Sequence, residues 1–151
     1  MNPQTQAAYL AESLAELDRA LCHLVYSATA CADLPADDPA PSEEALARIE
    51  AFTSRFVRVV DLMSKRVLRA MDQFEMYEAG TLLDVANRAE KRGVIESVDW
   101  LRELKDIRNR ISHDYAGDRL SEILVYCREE LPRLLKTCKR IRVYGAALLA
   151  K

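Results

Sequence analysis

Apolar residues recur along this chain every three or four positions and nowhere at every second one, and that periodicity confines it to helices. Leu10, Leu14, Leu17, Leu21, Leu24 and Ala28 form a first stripe, which predicts an amphipathic helix over about residues 4–32. The segment DLPADDPAP, residues 33–41, stops it, because Pro35, Pro39 and Pro41 cannot continue a helix and the acids suit a solvated connection. Ser42 followed by Glu43 and Glu44 restarts the chain as a helix: a hydroxyl cap and early acids satisfy free amides at the positive helix end. Ile49, Phe52, Phe56, Val60, Met63 and Val67 then predict one long helix running to about Tyr77.

Gly80 breaks that helix, and Thr81 with Asp84 has the spacing of a capping box for a short third helix ending before Gly93. Ser97 opens a fourth, with Trp100, Leu101, Leu104, Ile107 and Ile111 on its core face and an end near Gly117. Asp118 is placed to cap a last long helix carrying Ile123, Cys127, Leu131, Leu135, Cys138 and Ile141, with a kink or a new first turn expected at Pro132. Short connections between long helices predict an all-α fold, an up-and-down antiparallel helical bundle of four to five helices forming a single domain over 1–151. A chain of 151 residues buries about 70% of its unfolded surface without staples.

Several classes are disfavoured. No apolar run approaches the roughly 18 residues of a membrane span, and the start MNPQTQAAYLAESLAEL lacks the basic and apolar blocks of a signal peptide, so a cytoplasmic protein with no membrane partner is expected. Cys22, Cys31, Cys127 and Cys138 are too widely spaced for paired ligand motifs and read as small helix-packing residues. With His23 and His113 the only imidazoles, neither a metal site nor another cofactor is expected. His23, beside Leu21, Leu24 and Val25, reads as a packing or boundary residue.

Net charge is −2 but unevenly spread: two basic and nine acidic residues over 1–50, thirteen of each over 51–127, seven basic and two acidic over 128–151. Lys136, Lys139, Arg140 and Arg142 in the basic tail could attract phosphates or form a solvated helix face.

Chemistry stands out from scaffold in Arg108-Asn109-Arg110-Ile111-Ser112-His113-Asp114-Tyr115. At 100° per residue Arg108 borders the apolar face of the fourth helix, with no acid three or four residues away. Either an acid from another helix pairs with it or its guanidinium snorkels into water. Arg110 has Asp106 four residues earlier and reads as a surface ion pair. His113 falls about 140° from Arg108 on a straight helix, so one undistorted helix would not aim both side chains at one atom. Tyr115, seven residues after Arg108, returns to nearly the same face.

The pattern R-x4-H-x-Y, formed by Arg108, His113 and Tyr115, resembles the signature of the HEPN superfamily, most closely its prokaryotic toxin branch. The resemblance rests on about eight residues and on the late position of the motif in an all-helical chain. It implies a metal-independent endoribonuclease toxin that pairs as a homodimer, bringing both motifs into one cleft. Its antitoxin would be an MNT-type nucleotidyltransferase, able in that branch to attach AMP to the tyrosine matching Tyr115. The implied catalytic residues are Arg108 and His113, with Asn109 in a supporting role.

The residue types suit such chemistry. Histidine titrates near neutrality and serves as general acid or base toward a ribose 2′-hydroxyl; arginine presents a fixed fork of donors to phosphate oxygens. Two other readings use the same residues: a catalytically silent HEPN subunit that binds or regulates a nucleotidyltransferase, and a helical adaptor whose arginine and histidine are structural.

Overall fold

The computed structural model describes residues 2–113 and 119–151, the side chain of His113 excepted. It is all-helical: α1 spans Pro3–Ala30, α2 Glu43–Asp61, α3 Leu68–Phe74, α4 Leu82–Arg92, α5 Val98–His113 and α6 Leu120–Leu149. A π-helical segment, Leu62–Val67, joins α2 to α3 without a break, so the long second helix expected from the apolar stripe exists but widens in its middle. Its last regular residue is Phe74, short of the expected Tyr77.

Local chemistry sets most of the helix starts. Asn2 Oδ1 accepts from the Thr5 amide at 2.8 Å, and Pro3 occupies the first turn, where its missing N–H costs nothing. Ser42 Oγ accepts from the Ala45 amide at 3.1 Å. Thr81 and Asp84 form the reciprocal capping box, and Gly93 ends α4 at φ 76°, a conformation that disfavours any side chain. Ser97 Oγ accepts from the Trp100 amide at 3.1 Å. Asp118 lies outside the described residues, and Arg119 occupies the position before α6, with no side-chain cap. The helix runs through Pro132.

Two cross-helix ladders show that neighbours run antiparallel. Along α1, Arg55 of α2 donates to the His23 carbonyl and to Ser27 Oγ, while Arg66 of the π-helical segment that continues α2 reaches Glu16 at 3.0 Å. Between α1 and α6, Asp18 pairs with Arg142 and Leu14 packs where Gly145 has no side chain. Arg128 closes the end of that pair, donating to the carbonyls of Cys31 and Leu34 at 2.6 and 2.7 Å.

The expected stripes meet in one core. Leu10, Leu17, Leu24, Phe52, Phe56, Val60, Met63 and Val67 are buried, as are Trp100, Leu101, Leu104, Ile111, Cys127, Cys138 and Ile141, each large aliphatic side chain worth about 1.5–3 kcal/mol against exposure. Ile107, Leu131 and Leu135 pack at its edge. Of the cysteines, only Cys22 is exposed; all four are free. His23 is exposed on α1 rather than packed.

A second, polar core ties α3 to α4. Arg92 is 6% exposed and Asp72 7%; their charged atoms lie 2.7 Å apart, Arg92 Nε donates to Glu75 at 2.8 Å, and Arg88 reaches Asp72 at 3.0 Å. The Arg92–Asp72 contact is a charge contact without hydrogen-bond alignment, and the Arg92 guanidinium carbon lies 5.6 and 5.9 Å from the ring centres of Tyr77 and Tyr144. No described helix is long and apolar enough to cross a membrane, and no group of potential metal ligands occurs among the described residues.

Candidate functional site

The rotation of α5 about its axis is fixed from its buried side. Trp100, Leu101, Leu104 and Ile111 face inward, and Trp100 Nε1 donates to Glu130 of α6 at 2.9 Å while Arg133 stacks over its ring at 4.9 Å. That setting turns Lys105 and Arg108, neighbours one turn apart, toward the last residue of α2, Asp61.

Asp61 answers the question the sequence left open about Arg108. Arg108 Nε lies 3.0 and 3.1 Å from the two carboxylate oxygens and Nη2 lies 3.0 Å from Oδ2. Lys105 Nζ adds a contact of 3.3 Å to Oδ1, and Lys65, four residues after Asp61, one of 3.8 Å. Asn109 Oδ1 accepts from Arg108 Nη1 at 3.3 Å, which gives the expected supporting residue a definite contact. A guanidinium has five N–H donors; among the described residues three are taken, leaving one on each terminal nitrogen.

Burial pushes the Asp61 carboxyl up, but hydrogen bonds and charge from Arg108 and Lys105 outweigh it and hold it below the usual carboxylate range. Burial pushes Lys105 down, reinforced by the nearby Lys65 and Arg108 and opposed by Asp61. Three cations thus share one carboxylate, with Arg108 and Asp61 each a quarter exposed. A local positive excess at the surface is the result, suited to an anion. Beside it opens a cavity of about 460 Å³ lined by Tyr9, Arg58, Asp61, Lys65 and Arg66.

α5 reaches His113, placing it five positions after Arg108 on the same element. Its side chain lies outside the described residues, as does Tyr115. The Asp106–Arg110 pair expected from the sequence is not among the ion pairs of the described residues; both side chains are exposed. In the basic tail Arg142 pairs with Asp18 and Arg140 with Glu96, whereas Lys136 and Lys139 are exposed.

Sequence reasoning missed Asp61, Lys105 and Lys65. Asp61 has a lysine four residues on, so on paper it is an ordinary surface helix pair. Its real partner lies 47 residues away, and nothing local signals that. No protein-family model, curated protein or solved structure matches this chain.

Proposed function

We propose that the chain is a HEPN-type, metal-independent endoribonuclease toxin, acting in the cytoplasm and held in check by an MNT-type nucleotidyltransferase. The observation that carries this reading is the state of Arg108: half-buried, oriented on one side by Asp61, which lines a cation-rich cavity, and with a donor left on each terminal nitrogen among the described residues. Such a fork is suited to the extra charge that builds on a phosphate during attack.

In the proposed reaction the ribose 2′-oxygen attacks the adjacent phosphorus, and the bond from phosphorus to the 5′-oxygen breaks. The products are a 2′,3′-cyclic phosphate and a 5′-hydroxyl. His113 takes the 2′-hydroxyl proton or protonates the leaving 5′-oxygen, and a homodimer presenting two motifs to one cleft supplies an imidazole for each task. Arg108 neutralises the phosphorane charge, Asn109 and Asp61 keep the guanidinium in place, and AMP on Tyr115 would fill the same crevice with negative charge.

The test is incubation of purified protein with RNA in excess chelator. Wild type is expected to release fragments ending in 2′,3′-cyclic phosphate, while Arg108→Ala and His113→Ala, folded by circular dichroism, release none. Intact RNA with the wild type overturns the proposal.

One observation favours the second reading, a silent subunit that binds or regulates a nucleotidyltransferase: three of the five Arg108 donors are already used within the chain. That reading predicts a stable complex with the nucleotidyltransferase and no RNA cleavage by either component.

A further inference from the structure

The cavity beside Asp61 does not end there. Arg58 forms part of its wall and also part of the next one, a cavity of about 280 Å³ lined by Glu16, Arg19, Ala20, His23 and Arg58. The two cavities are separate but adjoin at Arg58, and together they line a groove along α1 and α2 that the Arg66–Glu16 pair crosses at 3.0 Å. Tyr9 and His23 mark its α1 wall and lie fourteen residues apart, about 21 Å at the helical rise.

The groove is positive although the segment that supplies α1 is the most acidic in the chain. Its walls carry Arg19, Arg58, Lys65 and Arg66 against Glu16 and Asp61, and Lys105 and Arg108 stand at the Asp61 end. Both wall carboxylates are engaged: Glu16 by Arg66 at 3.0 Å, Asp61 by Arg108, Lys105 and Lys65. Arg19 and Arg58 are exposed and take part in no ion pair among the described residues. Tyr9 lies along the same wall with the Arg66 guanidinium 5.4 Å from its ring centre. Spaced cations are the elements that hold a single strand through its phosphates.

We infer that the α1–α2 groove, from Arg108 past Arg58 to Arg19 and His23, is a track for single-stranded RNA that feeds the Arg108 end. The inference rests on the proposed nuclease reading but concerns different residues. Its binding is sequence-tolerant, because it uses backbone phosphates.

The experiment measures binding of a fluorescent single-stranded RNA oligonucleotide to full-length His113→Ala protein, so that cleavage does not intrude. Adding Arg19→Gln and Arg58→Gln together is expected to weaken binding by about tenfold and to lower the salt slope by about 0.7 per lost phosphate contact. Arg58→Glu weakens it further. Lys136→Gln with Lys139→Gln, the same charge change on exposed α6 positions, leaves it unchanged. Equal loss from both double variants, or none from the groove variant, overturns the track. So does displacement of RNA by equimolar poly-glutamate, which would make the groove a seat for an acidic protein segment. RNA cutting that needs Arg108 and His113 while binding ignores Arg19 and Arg58 removes the track alone. Binding that needs Arg19 and Arg58 in a chain that cuts nothing keeps the track and removes the nuclease.

Discussion

Asp61 grips Arg108 from another helix, through Nε and Nη2 at 3.0–3.1 Å, at the residue where α2 gives way to the π-helical segment. The contact is both a structural tie between α2 and α5 and the device that orients the motif arginine. Asp61→Asn retains the shape and removes the charge that two partly buried cations face. We expect a loss of about 1.5–3 kcal/mol in urea unfolding, the range for a hydrogen bond to a charged group. RNA cleavage should fall with it, and unchanged cleavage would confine Asp61 to a structural part.

The pH dependence of that tie has a definite sign. Because the folded-state pKa of Asp61 lies below its ordinary value, its contribution is complete above the unfolded value of about 3.9 and fades as pH falls through the folded one. Wild-type stability should therefore exceed that of Asp61→Asn by a constant margin across neutral pH. The margin should narrow only in acid, as read by urea midpoints taken from pH 7 down to pH 3.

Asp72 and Arg92 predict a larger effect. Each is more than nine-tenths buried, so Asp72→Ala strands a guanidinium with only Glu75 and two aromatic rings for company. A cost of about 3–5 kcal/mol is expected, visible as a drop in Tm of several degrees, without a direct effect on the Arg108 site. A change under about 1 kcal/mol would mean that Glu75 and the rings of Tyr77 and Tyr144 suffice to hold Arg92.

The thiols should separate sharply under native alkylation. Burial pushes Cys127 and Cys138 up to about 12 and raises Cys31 as well, while Cys22 is exposed. Mass spectrometry after brief iodoacetamide treatment should find Cys22 modified and the other three only after denaturation. Early modification of Cys127 or Cys138 would show that α6 opens readily.

The helices were legible because burial repeats along each of them. Leu10 to Leu24 on α1 and Ile49 to Val67 on the second helix read correctly, as did Ser42 and the Thr81–Asp84 box, whose partners lie within a turn. The π-helical segment was not legible, since Val60, Met63 and Val67 continue the same spacing across it. A faint trace is Ser64, whose hydroxyl bonds back to the Val60 carbonyl at 2.7 Å and so loosens the ladder. In the candidate site, Arg108 was legible by its type and by its missing local acid. Asp61 was hidden, and the groove with it, because charge counted along the sequence averages the acidic 33–44 stretch with a surface that α1 shares with basic residues of α2.

The widened turn at Leu62–Val67 explains how one helix serves two neighbours. Asp61 and Asp72 are eleven residues apart, which in an unbroken α-helix brings them within about 20° of the same side. Widening amounts to one surplus residue, and that residue swings everything beyond Val67 by about 100°. Asp61 is thereby free to meet α5 while Asp72 meets α4. Straightening the segment without removing a residue would bring both acids back to the same side, with one of the two arginine-bearing helices deprived of its anchor, whereas deleting the surplus residue would restore the regular ladder and keep the acids about 80° apart.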